Sequence, residues 1–478
     1  MPLCKRIIAR LDVKGSRLIK GVRFEGLRVL GSAQEKAIEY SNAGVDEIIY
    51  VDSVASLYGR NSLDNLLKET SKEVFIPITA GGGVRSVDDA ARLLKSGADK
   101  IAINSFALSN PDILRELSAR FGKQCVVLSV QAKRSQGNSW EAMAEGGRER
   151  SGRNVVSWIE EAQSLGIGEV LLTSVDMDGT CLGADQELIT EVCAKINVPL
   201  IVGGGFSSIE DVSSALERER ISGVSIGAAL HKRKIDISEV KRVSTKHGID
   251  VVKPIEANSK IGSTSLSLQG KKFGIIDYGM GNVQSLVNAF NCIGAEVFVS
   301  SNAEGLMGCD LLALPGVGAF PAGMAQLQDA GLDHFLQTWA SDGKPLLGIC
   351  LGMQMLFESS EEFCWCEGLR ILEGRINQIN VEAGQTSLLP HIGWNQLIDT
   401  DLSLSLNIAS SLEQYFVHSF CANDVPSSTV LYSCRYGSKT PFPAAVLNGK
   451  VAGFQFHPER SGATGIELLH KICEILTS

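Results

Sequence analysis

No apolar run in these 478 residues approaches the roughly 20 needed to cross a bilayer, so a helical membrane span is not expected. The opening Met1-Pro2-Leu3-Cys4-Lys5-Arg6 runs straight into a strand-like stretch and carries no signal-peptide hydrophobic region. A cytoplasmic location is the expectation. An excess of basic charge is also missing: 45 Lys and Arg against 54 Asp and Glu leave a net charge of −9. That argues against general binding to nucleic acid or anionic membranes, while leaving room for a local anion pocket. The twelve cysteines are scattered, and Cys364-Trp365-Cys366 has no second pair at zinc spacing. A surface loop is expected there, with no metal and no cofactor, and a reducing compartment fits best. What remains is ordinary for a soluble enzyme, 44% hydrophobic and 21% charged, and long enough for two or three domains.

Residues 1–253 alternate short apolar strands with amphipathic helical stretches. The strands are Ile7–Leu11, Glu47–Val51, Ile76–Thr79, Lys100–Ile103, Val126–Val130, Val170–Thr173, Pro199–Val202 and Val224–Ile226. Helices are expected near 33–43, 62–73 and 86–96. Eight such units predict a parallel sheet closed into a (β/α)8 TIM barrel. The two halves repeat: Gly81-Gly82-Gly83-Val84-Arg85-Ser86 corresponds to Gly203-Gly204-Gly205-Phe206-Ser207-Ser208, 122 residues later. Each triplet precedes a helix and then a strand ending in small polar residues, Asn104-Ser105 in one half and Gly227-Ala228 in the other. Glycine turns of this kind cradle phosphates or simply make tight loops. Their pairing across one barrel mouth points to a substrate with two phosphates. The repeat also aligns Asp12 with Gln131 and Asp52 with Asp176, all at strand ends where barrel chemistry sits. The stretches Lys14–Gly26, which includes Lys20, and 136–155 read as flexible loops on that face; for the first, a structural hairpin is an equal reading.

After a small-residue stretch at 254–270, expected as a linker, residues 271–478 again read as alternating strands and helices, consistent with an open doubly wound sheet. Gly348-Ile349-Cys350-Leu351-Gly352 closes an apolar run and opens a helix. It is a thiol version of the nucleophile elbow, its glycines expected to allow a strained turn. Gln455-Phe456-His457-Pro458-Glu459 supplies a base and a carboxylate to orient it.

With Asp277–Asn282, Leu314–Gly318, Pro390–Asn395 and Tyr415–Ser419, this half resembles the class I glutamine amidotransferases, and more narrowly the glutaminase of imidazole glycerol phosphate synthase. The barrel resembles that synthase's cyclase through Arg6–Lys14, Gly44–Glu47, Gly97–Lys100 and Leu172–Thr180. The resemblance implies Cys350 as nucleophile on glutamine, His457 as proton shuttle and Glu459 as its orienter. Gly316 and Gly318 match an oxyanion strand, and Gln354, Glu358 and Ser419 match positions that hold glutamine. A charged ring of Arg6, Glu47, Lys100 and Glu169 matches an ammonia gate. Asp12, Lys20, Gly83, Asn104, Ser105, Asp176, Asp178, Gly179, Gly205, Gly227 and Ala228 fall at the expected nucleotide site, and Trp394 at the interface between the domains.

Two departures stand out. The order, cyclase-like half first, is the reverse of fused synthases of the family. More important, Gln131 occupies the place of one of two aspartates that serve as general acid and base, and a carboxamide does not exchange a proton near neutral pH. Asp12 then works with a water or with another carboxylate such as Asp176, or the barrel does not perform the usual cyclisation. Three readings follow: a bifunctional synthase acting on a bisphosphorylated nucleotide, a paralogue passing ammonia to a separate acceptor enzyme, or a non-catalytic scaffold.

Overall fold

The computed structural model describes residues 3–55, 63–253, 268–382, 387–408 and 413–478. Most of the expected linker lies outside them; Leu268–Gly270 form a turn.

The first half is a closed barrel. Eight parallel strands (Arg6–Lys14, Glu47–Asp52, Ile78–Gly81, Lys100–Ile103, Val126–Arg134, Glu169–Ser174, Leu200–Gly203 and Ile221–Ile226) pair in chain order, and the last pairs with the first. Two strands start later than expected for one reason. Pro77 and Pro199 lack the N–H a ladder needs, so each contributes only its carbonyl, to Ile48 N–H at 2.9 Å and Val170 N–H at 3.0 Å. The stretch 136–155, expected as a loop, is a hairpin zipped onto a long strand, and Lys14–Gly26 falls in a second one, the alternative the sequence left open. Arg17–Val22 and Glu25–Ser32 extend the first strand, while Trp140–Ala144 and Glu149–Asn154 extend the fifth. Lys20 is thereby held at the mouth by ladder hydrogen bonds, and Glu145 sits at the turn that follows Trp140–Ala144.

Side chains alternate across a strand, so the interior is built in layers two residues apart. At the N-terminal end lie Arg6, Glu47, Lys100 and Glu169. Two residues on, Ile8, Ile49, Ala102, Val127, Leu171 and Ile201 form a buried apolar ring. Beyond the ring come Arg10 and Asp12, Asn104, Gln131 and Thr173. The outward residues Ile7, Ala9 and Leu11 join the core shared with the surrounding helices.

The second half has an open eight-stranded sheet. Glu296–Ser300, Lys272–Ile276, Leu311–Leu314, Leu346–Ile349 and Val451–Phe454 are parallel neighbours, continued by three antiparallel strands. A separate antiparallel pair, His391–Gln396 with Glu413–His418, faces the barrel. Its Ile392, Trp394, Tyr415 and Val417 are buried in the barrel's own core cluster. Trp394 Nε1 donates to the Asp46 carbonyl at 3.4 Å. Among the described residues no helix is long and apolar enough to cross a membrane.

Candidate active sites

Cys350 follows the strand Leu346–Ile349 directly and sits at φ +53°, ψ −109°. This is a conformation that L residues hold only where the surroundings enforce it. The strain lies on the cysteine itself, a correction to the role expected of its glycines. A Cβ on Gly352 would lie 1.8 Å from the Leu314 carbonyl oxygen, and one on Gly348 2.7 Å from Met353 Cα. The glycines let backbone pass against backbone and so clamp the elbow. Because Leu346–Ile349 runs beside Val451–Phe454, Ile349 is in register with Phe454 and Cys350 N–H donates to the Phe454 carbonyl at 2.7 Å. Sheet adjacency thus brings together residues a hundred positions apart.

His457 is buried, and its Nδ1 donates to Glu459 Oε1 at 2.7 Å, while Nε2 has no hydrogen-bond partner among the described residues. Burial opposes imidazolium, but Glu459 and then the Cys350 sulfur outweigh it and hold His457 well above its ordinary pKa. Gln455 Nε2 lies 3.8 Å from Cys350 Sγ, and Gln354 Nε2 donates to Gln455 Oε1 at 3.1 Å and to the Phe420 carbonyl at 2.8 Å. Ser419 is buried beside that carbonyl. Cysteine, histidine and carboxylate are thus arranged for nucleophilic attack on an acyl carbon.

Residues 315–319 are irregular chain rather than the expected strand. They are gripped from both sides: Leu351 N–H donates to the Gly316 carbonyl at 3.3 Å, and barrel residue Gln124 donates to the Gly318 carbonyl at 3.3 Å. An oxyanion forming at Cys350 would have to displace the Gly316 carbonyl to use the Leu351 N–H. Glu358 is exposed and is not brought to the sulfur. Glu362, which the sequence did not single out, is buried and accepts the Phe320 N–H at 2.6 Å, just beyond the glycine segment; burial pushes its carboxyl up to about 7. A carboxylate four residues from an expected one is a signal that spacing alone does not resolve.

The four residues expected as a gate form one closed ring of buried charge. Arg6 bridges Glu47 (2.8 Å) and Glu169, and Lys100 bridges Glu47 (2.8 Å) and Glu169 (2.6 Å), all with side chains fully buried. The glutaminase lies against this end. Arg460, next to Glu459, pairs with Asp99 at 2.9 Å and donates to the Gly97 carbonyl at 2.6 Å, and Asn282 donates to Asp99 at 3.1 Å.

At the other end the mouth holds two cavities. The first, about 180 Å³, is lined by Gly83, Asn104, Ser105 and Gln131, together with Asp52 and Glu145. The second, about 10 Å³, is lined by Asp178, Gly179, Gly205, Gly227 and Ala228, together with Arg10 and Ser225. The repeat extends to the caps: Ser86 Oγ accepts the Asp89 N–H as Ser208 Oγ accepts that of Asp211. Asp89 and Asp211 in turn accept the Arg85 and Ser207 N–H groups, so these helix-terminal donors are already used. Asp12 lies between the cavities with both oxygens engaged, Oδ1 by Arg10 at 2.9 Å and Oδ2 by Lys20 at 2.6 Å. Burial would favour its neutral form, but the two cations hold it well below the carboxylate range. Lys20 also pairs with Asp178 at 2.9 Å. Asp176, the other carboxylate the sequence offered beside Asp12, lines neither cavity, and its Oδ2 accepts the Arg134 N–H at 2.8 Å.

Residues 6–236 match the histidine biosynthesis protein family and residues 274–473 the class-I glutamine amidotransferase family. The imidazole glycerol phosphate synthase subunit HisF of Legionella pneumophila is 52% identical over 206 residues, 43% of this chain and 97% of that subunit. Those of Streptococcus sanguinis and Dehalococcoides mccartyi are each 40% identical over 249 residues, 52% of this chain and 99% and 98% of theirs. The chain belongs to the HisF family. Its second half adds a class-I glutamine amidotransferase, so it is an enzyme of the imidazole glycerol phosphate synthase type with both parts on one chain. Within that family frame Arg10 and Arg460 were missed by sequence reasoning. Arg10 shares Asp12's inward face two residues earlier, a period-two signal that could have found it.

Proposed function

We propose that Cys350 attacks the glutamine carboxamide, that His457 hands the proton to the departing ammonia, and that Glu459 orients the imidazole. Water then releases glutamate. Ammonia passes the Arg6–Glu47–Lys100–Glu169 gate and the apolar ring and reaches the barrel mouth. There it enters a bisphosphorylated ribulosyl-formimino nucleotide held by the two glycine turns, giving imidazole glycerol phosphate and aminoimidazole carboxamide ribotide, a step of histidine biosynthesis. One observation carries this reading: a single strand, Glu413–His418, serves both halves. The Tyr415 carbonyl accepts the His457 N–H at 2.9 Å while the Tyr415 side chain is buried in the barrel core. All twelve cysteines are free, which supports a reducing cytoplasm.

Gln131 favours a second reading, in which the chain supplies ammonia to a separate sugar-amidinating enzyme of surface-polysaccharide synthesis. The test is to incubate the full chain with the bisphosphate nucleotide, once with glutamine and once with ammonium salt, and to follow both carbon products. Turnover with both nitrogen sources is expected. Glutamine hydrolysis without either product would sink the synthase reading and leave a source of ammonia for a separate acceptor, or a scaffold barrel.

A further inference from the structure

The mouth lacks a proton-exchanging group at Gln131, and the turn of the adjoining hairpin holds one. Gln131 pairs with Met143 across the hairpin, and Glu145 lies two residues further on, at its turn. Glu145 lines the same cavity as Gln131, Gly83, Asn104 and Ser105. Among the described residues its Oε2 is buried without a hydrogen-bond partner, as are Gln131 Oε1 and Asn104 Oδ1. Asn104 cannot turn to relieve this without loss, because its Nδ2 already donates to the Met143 carbonyl at 3.0 Å. The main chain of Glu145 is pinned as well: its N–H donates to Ser105 Oγ at 3.0 Å and its φ is +49°. A buried carboxylate oxygen among orphaned acceptors is a strong sink for a proton or a donor. The other carboxylates of the mouth are engaged. Asp12 is held by Arg10 and Lys20 and lines neither cavity, Asp178 is paired with Lys20, and Asp52 Oδ1 accepts the Val54 N–H at 3.1 Å.

We propose that Glu145 performs the proton exchange that Gln131 cannot, with the Gln131 amide orienting the substrate beside it. This rests on the barrel carrying out the nitrogen-incorporating reaction proposed above. As ammonia adds to the ribulosyl carbonyl, its lone pair forms the C–N bond and the carbonyl π pair moves to oxygen. Glu145 takes a proton from the nitrogen and returns it to that oxygen. A second transfer along the same path lets the oxygen leave as water as the C=N bond forms, and the carboxylate is regenerated.

The test uses the full chain, the bisphosphate nucleotide and ammonium salt, so that the glutaminase is bypassed. Glu145→Gln should lower kcat by about 100-fold or more, the scale of a lost general acid–base group, with KM for the nucleotide little changed. Glu145→Gly relieves the positive φ and should unfold no earlier than the unsubstituted chain, yet lose turnover equally. Gln131→Asp placed on Glu145→Gln should restore turnover to within about tenfold, since it returns a proton-exchanging group to the site. Retained turnover in Glu145→Gln, or a loss that Gln131→Asp does not repair, overturns the assignment. No turnover in the unsubstituted chain overturns the barrel reaction itself, which separates the two failures.

Discussion

Replacing Lys100 by Met tests the gate as a charge-balanced unit. In the native ring two cations meet two carboxylates with every side chain fully buried. Without Lys100, Arg6 alone faces both Glu47 and Glu169. Removing one partner of a buried pair costs about 3–5 kcal/mol, a large part of the roughly 5–15 kcal/mol that holds a domain together. One glutamate can escape by binding a proton, so its folded pKa rises above the unfolded value near 4.3. Between those two values folding takes up a proton, and the variant gains stability as pH falls. The native ring has the opposite sign: although burial works against it, Arg6 and Lys100 hold Glu169 low, so its contribution is lost only in acid, below the unfolded pKa. Urea unfolding followed by tryptophan fluorescence between pH 5 and 8, a range above the glutamate reference value, reads the slope directly. Lys100→Met/Glu169→Gln restores balance and should recover most of the loss. Glutamine consumed in excess of barrel product would report ammonia escaping at the broken gate. A loss under about 1 kcal/mol, with no acid recovery and no rescue by the double variant, would refute the reasoning.

Glu459→Gln removes the charge that keeps His457 protonated. A charge-assisted hydrogen bond is worth about 1.5–3 kcal/mol, so glutamine hydrolysis should fall roughly 10–150-fold while ammonium-driven barrel turnover stays intact. Glu362, with its carboxyl at about 7, becomes a stronger acceptor for the Phe320 N–H as pH rises through that value. Glutaminase activity should gain a matching increment that vanishes in Glu362→Gln, whereas Glu358→Ala should leave the profile unchanged. Arg460→Met removes the contacts to Asp99 and Gly97, and should lower glutamine-driven turnover about tenfold relative to ammonium-driven turnover, the worth of one charged hydrogen bond.

Much of this was legible because it is local. Strand ends follow apolar runs, and the nucleophile elbow is written in five consecutive residues. The four charged positions were singled out by resemblance, and the structure shows why they cohere: each lies two residues before a member of the apolar ring. What the sequence hid depends on pairing between distant segments. The hairpin leading to Glu145 looks like a polar loop, and the one carrying Lys20 could be read either way, because strands paired at a barrel rim need no apolar pattern. Arg460 carried no role in the sequence, because its carbonyl partners Val74 and Gly97 belong to the other half of the chain. Gly348 and Gly352 were expected to bend and instead prove to be contact points, a distinction only the third dimension makes.

The apolar ring of Ile8, Ile49, Ala102, Val127, Leu171 and Ile201 has a consequence for what the barrel receives. Stripping water from an ammonium ion to cross such a ring is prohibitively costly, whereas neutral ammonia loses little. On the proposed route the ring therefore acts as a proton filter. The hydrogen ion is left on the glutaminase side and the nitrogen arrives as a free base, already nucleophilic. Every proton the barrel reaction moves, from that nitrogen to the departing oxygen, must then be relayed by groups at the mouth, and the acid–base equipment of the two ends can change independently.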